Sequence, residues 1–116
     1  MKIKRVEHIA IAVDSIADSA GMLHNLFGID VEYEEQRPTT RLAMLPIGET
    51  YLELLQGNTP DSGVTQWIDA KGTGLFHICF EVEDIDAALA ELKQKGVKLR
   101  DETPRIGHGG SRIAFI

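Results

Sequence analysis

At 116 residues, with 43% hydrophobic and 26% charged residues, the chain has the composition of a single globular domain. Eighteen Asp and Glu against twelve Lys and Arg give a net charge of −6, which argues against nucleic acid as a partner but leaves room for a small anionic ligand. The lone cysteine, Cys79, excludes an intrachain disulfide; with no signal-peptide pattern and no apolar run of membrane-spanning length, a cytoplasmic protein without a membrane partner is expected.

In chain order, residues 6–13 alternate and predict a strand. Glu7, Ile9, Ile11 and Val13 point one way; Val6, His8, Ala10 and Ala12 point the other. The large aliphatic set asks for a core, and the small face carrying His8 suits a cavity wall. Ser15, with Asp18 three residues later, supplies helix-start chemistry. Ile16, Ala20, Leu23 and Phe27 then recur at helical spacing until Gly28 ends the helix. Residues 29–35 alternate like an edge strand, and residues 36–39 turn. The strand over residues 41–45 sets Leu42 and Met44 toward the core and Arg41, Ala43 and Leu45 opposite. Residues 46–49 turn back into a strand over 50–55, with Leu52 and Leu54 on one face and Tyr51, Glu53 and Leu55 on the other.

Asn58, Thr59, Pro60, Asp61 and Ser62 mark a loop, and Val64, Trp67 and Ile68 suggest one short amphipathic helix. Gly72 and Gly74 lack the strand–loop–helix context of a phosphate loop. A second strand follows, with His77, Cys79 and Glu81 opposite Ile78, Phe80 and Val82. Asp84 is an N-cap; Ile85, Ala88, Leu89 and Leu92 form a helical stripe that Gly96 closes. A short strand over 97–100, a Pro- and Gly-rich loop over 103–110 and a strand over 112–116 complete the reading.

The two halves share one plan. Residues 6–16 overlie residues 75–85 at an offset of 69, so that His8 falls on His77, Ile9 on Ile78 and Val13 on Val82. Residues 41–45 overlie 112–116 at an offset of 71, which makes Arg41 and Arg112 twins. The repeat predicts an α+β fold of two tandem βαβββ modules. Module one covers about residues 1–57, a connector 58–73, and module two 74–116, all in one domain. Module two lacks the counterpart of the strand over 50–55, which the repeat places roughly eight residues beyond Ile116.

His8, Glu53 and His77 each sit mid-strand, on the face away from the large aliphatic side chains. A carboxylate there is costly to bury without a partner. Two imidazoles and one or two carboxylates on facing strands suit a divalent metal ion with open coordination positions. Hydrogen-bonded structural histidines, or histidines inherited through duplication, account for the same pattern.

The segments 8–13, 74–82 and 104–110 resemble the vicinal oxygen chelate (glyoxalase/bleomycin resistance/dioxygenase) superfamily and, within it, the methylmalonyl-CoA epimerases. The resemblance implies that the paired βαβββ modules form a curved mixed sheet around a metal cleft, with a homodimer and a divalent metal, cobalt before manganese, nickel, zinc or magnesium. The implied metal ligands are His8, Glu53 and His77, with a fourth glutamate on the strand beyond Ile116 that also acts as acid/base. Phe76 stands where the family commonly has a further His, and His108 where a small residue is more usual. The implied reaction is epimerisation of a CoA thioester by proton transfer at C2, with Glu53 a further candidate acid/base. Arg41, Gly109, Gly110 and Arg112 are candidate substrate contacts; for the two arginines, solvated strand ends are the other reading. The rivals are a lactoylglutathione lyase, a metal-free binding or resistance protein of the same fold, and a fragment with an incomplete site.

Overall fold

The computed structural model describes residues 1–116. The elements in order are β1 (Ile3–Ala12), α1 (Ile16–Phe27), β2 (Tyr33–Gln36), β3 (Thr40–Ile47), β4 (Thr50–Gly57), α2 (Gly63–Lys71), β5 (Gly74–Val82), α3 (Ile85–Gln94), β6 (Arg105–Ile106) and β7 (Arg112–Ile113). The five-stranded mixed sheet has the order β2-β3-β4-β1-β5. β1 runs parallel to β4, whereas β3 is antiparallel to both β2 and β4. The chain divides into two compact units: Val6–Cys79, and Met1–Arg5 with Phe80–Ile116.

Both faces of the sheet in the unit Val6–Cys79 carry a core. On one, Val13, Ile16, Ala43, Leu45 and Leu54 pack with Ile11, Ala20, Leu23, Ile29 and Leu52 beneath α1. Ser15 caps α1 by accepting from the Asp18 N–H at 3.1 Å. The Ile16 N–H donates to the Gln56 side chain at 2.8 Å, and Gly28 ends the helix in the left-handed conformation. On the other face, Ala10, Ala12, Leu42, Met44, Leu55 and Val64 pack with Tyr33, Tyr51, Trp67, Ile68 and Phe76. The small face expected to line a cavity is therefore partly filled: alanines at 10 and 12 leave room for side chains of α2.

Local chemistry fixes α2 against β4. Ser62 is fully buried and accepts from the Val64 N–H at 3.2 Å, and its hydroxyl pairs with that of Thr40 at 3.0 Å. Gly57 allows the close approach, since a Cβ there would stand 2.0 Å from Thr65 Oγ1 and 2.9 Å from the Thr65 backbone nitrogen.

In the unit formed by Met1–Arg5 and Phe80–Ile116, Asp84 caps α3 by accepting from the Ala87 N–H, and Ala88 and Leu89 are its buried residues. The Met1 amine binds Glu91 at 2.7 Å, and Arg5 and Lys4 both pair with Glu81. The expected strand over 97–100 does not form, and residues 112–116 give only the two-residue β7. The partner of β7 is β6, which falls in a stretch expected to be loop. The physical reason is a tight local hairpin: Gly107 lets the Ile113 side chain come within 2.8 Å of where a Cβ would be, and Gly109 and Gly110 take positive φ. The chain beyond β7 is held instead by Asp101. Its carboxylate accepts from the Phe115 N–H at 2.9 Å and from Arg105 at 3.1 Å, while the Arg100 and Asp101 N–H groups donate to the Phe115 carbonyl. These bonds hold the Asp101 carboxyl below its usual range, the Phe115 amide being the largest cause.

Candidate metal centre

The ligand positions follow from strand register. β1 and β4 place Ala10 opposite Glu53, and β3 and β4 place Met44 opposite Glu53. The Glu53 side chain thus emerges between an alanine and a methionine and is 3% exposed, as is His8. His77 comes from β5, the neighbour of β1 on the side away from β4.

The three side chains converge. His8 Nε2 lies 2.9 Å from His77 Nε2 and 3.5 Å from Glu53 Oε1, and His77 Nε2 lies 3.8 Å from the same oxygen. An ion about 2.1 Å from each ligand holds adjacent ligand atoms about 3 Å apart. Two nitrogens and a carboxylate oxygen at these spacings therefore fit a divalent ion by donor type and by separation. The two rings meet edge to face, their centroids 5.1 Å apart. Phe76 continues the aromatic contact from His77 at 5.5 Å to Trp67 at 5.1 Å. The phenyl ring at position 76 thereby walls the site on the α2 side.

Electrostatically the site is short of positive charge. Burial, then the negative charges of Glu7 and Glu35, push Glu53 up to about 7, with Arg37 opposing. Tyr33 is raised for the same reasons, burial first and then Glu7 and Glu53. A buried carboxylate surrounded by acidic groups favours either a proton or a cation.

Glu7 and Glu35 were not among the sequence candidates. Strand alternation sets Glu35 on the Tyr33 side of β2, where the sheet register places Tyr33 opposite Met44, so period two carried that signal. Arg37 pairs with Glu35 at 3.2 Å. For Glu7 the same rule pointed away from the site: it should face opposite to its neighbour His8, yet its carboxylate reaches His8 Nδ1. Glu7 and Cys79 also bring ligand atoms within 4.8 Å of His8.

The other sequence candidates are differently engaged. Arg41 pairs with Glu34 across the β2–β3 ladder at 2.8 Å. Arg112 makes a two-point bridge to Asp86 at 2.9 and 3.1 Å, which raises its pKa. Gly109 and Gly110 lie in the short helical turn between β6 and β7, in the second compact unit. The structure brings His8, Glu53 and His77 together, whereas Arg41 is taken up by Glu34.

The family model of the glyoxalase/bleomycin resistance protein/dioxygenase superfamily matches residues 7–115. The chain belongs to this family. An uncharacterized Bacillus subtilis protein, YqjC, is 36% identical over 114 residues, covering 97% of this chain and 81% of its own length. Human mitochondrial methylmalonyl-CoA epimerase is 31% identical over 115 residues; the match covers 97% of this chain but 65% of the human protein. A solved structure of a Streptomyces coelicolor methylmalonyl-CoA epimerase variant, in complex with 2-nitronate-propionyl-CoA, superposes with a TM-score of 0.89 at 34% identity, covering 96% of this chain and 83% of that one. The fold expected from the repeat is the fold of these epimerases.

Proposed function

We propose that the chain is an epimerase of 2-methylmalonyl-CoA, moving the C2 proton from one face to the other with the help of a divalent ion held by His8, Glu53 and His77. The convergence of those three ligand atoms carries the reading, and the similarity to epimerases and to a CoA-thioester complex supports it. An ion held by these residues would supply Lewis acidity where negative charge develops on the substrate. His8 and His77 orient that ion; Glu53 joins them as an anionic ligand once its proton has left. Glu35, on the same sheet face and close enough for its charge to raise Glu53, supplies one of the two proton-transfer groups such a reaction needs. Its pairing with Arg37 at 3.2 Å orients the carboxylate.

Calorimetric titration with cobalt tests the reading. One ion per chain is expected, with binding lost in His8→Ala and in His77→Ala. Methylmalonyl-CoA incubated with the loaded protein in deuterium oxide then reports C2 exchange and inversion. Glu35→Gln is expected to slow both by about 100-fold or more with cobalt still bound at one ion per chain. A protein that binds no cobalt, or binds it equally well without either histidine, ends the metal-assisted reading. Turnover of a glutathione hemithioacetal in place of the thioester would assign the site to a lactoylglutathione lyase.

A further inference from the structure

The two histidines are twins in the repeat, but their surroundings differ. The residue before His8 is Glu7; the residue before His77 is Phe76. Glu7 turns its carboxylate onto His8 Nδ1, whereas Phe76 sets its ring edge to face with His77. The His8 ring is 4% exposed and Glu7 19% exposed, so the contact is largely shielded from water.

We propose that Glu7 is a positioning residue that holds His8 as the Nδ1–H tautomer, so that the Nε2 lone pair points at Glu53 and His77. The proposal rests on the metal-centre reading above. The chemistry follows from the contact: a carboxylate oxygen accepts, so the proton between Glu7 and His8 sits on Nδ1. Nε2 is then an acceptor. His8 then presents Nε2 to an ion with no shift of its own proton. The second half of the repeat has phenylalanine in place of the acid, so His77 has no equivalent contact from the residue before it. A carboxylate behind a metal-bound imidazole also makes the imidazole more basic, and its removal typically costs about 10–100-fold in metal affinity.

The test uses the ring nitrogens directly. In the metal-free protein at mildly alkaline pH, two-bond proton–nitrogen NMR correlations of the imidazoles distinguish the tautomers without reference to catalysis. His8 should appear as Nδ1–H. Glu7→Met removes the acceptor at similar size and should give a tautomer mixture at His8, with cobalt affinity down about 10–100-fold. Glu7→Gln keeps an acceptor oxygen without the charge; it should retain the Nδ1–H form of His8 and lose less affinity. Cobalt added to the parent protein should leave His8 as Nδ1–H. An Nε2–H form of His8 in the parent, or an unchanged His8 in Glu7→Met, overturns the proposal. So does thiolate-to-cobalt charge transfer, which would place the ion on Cys79 and the Nδ1 side of the ring. If the parent binds no cobalt while the tautomers behave as stated, the metal centre falls and the positioning of His8 by Glu7 stands.

Discussion

Glu53 combines two demands that oppose each other in the metal-free chain. Burial raises it from an ordinary 4.5 to about 7, so between those values the folded chain holds a proton that the unfolded chain has released. Folding then takes up that proton, and stability falls as pH rises through this window, remaining low above about 7. A shift of this size corresponds to a cost on the order of 3 kcal/mol above neutrality. Glu53→Gln cannot ionise. The metal-free variant is therefore expected to exceed the parent in stability by about 2–3 kcal/mol at mildly alkaline pH and to match it at acid pH, where both side chains are neutral. Urea unfolding at both pH values checks this; a gap independent of pH would show that charge is not its source. Cobalt reverses the balance because it needs the carboxylate. Below neutrality, binding should release a proton, seen as a calorimetric enthalpy that changes with the buffer's heat of ionisation.

Among the elements, α2 decides how tightly the α2 side of the site is walled. Its docking rests on Ser62 and on the bare α-carbon of Gly57, and Trp67 is the chain's one tryptophan. Ser62→Ala removes the cap and the bond to Thr40, with an expected loss of about 1–2 kcal/mol. Gly57→Ala drives a methyl group into the backbone of Thr65 and should cost about 1–3 kcal/mol. In both variants, tryptophan fluorescence should shift toward that of exposed indole, and an unshifted spectrum would mean that α2 stays docked. Sequence made part of this legible. Val64, Trp67 and Ile68 announced an amphipathic helix, and Ser15, Gly28 and Asp84 announced caps that the structure contains. What it could not announce was hairpin competition: alternation over 97–100 is a strand only if a partner is available, and β7 pairs locally with β6.

Across the whole molecule, the sheet assembles one site from three strands widely separated along the chain. His8, Glu53 and His77 could be nominated from sequence because each broke an apolar pattern on a defined strand face and two of them were repeat twins. Glu7 could not, because its carboxylate wraps back past the face that alternation assigns to it. A ligand held by all three strands stabilises only the folded chain. Cobalt at 100 times its dissociation constant should therefore add about 2.7 kcal/mol, raising the melting temperature in the parent and leaving His77→Ala unmoved. The two histidines also stand on unequal ground. β1 lies between β4 and β5, whereas β5 ends the sheet order with β1 as its neighbour. In the metal-free protein, amide protons of β5 should accordingly exchange with solvent faster than those of β1. An ion joining His77 to His8 would clasp the border strand to the interior one and slow exchange chiefly along β5, so that occupancy of the centre could be followed from the backbone alone, with no substrate present.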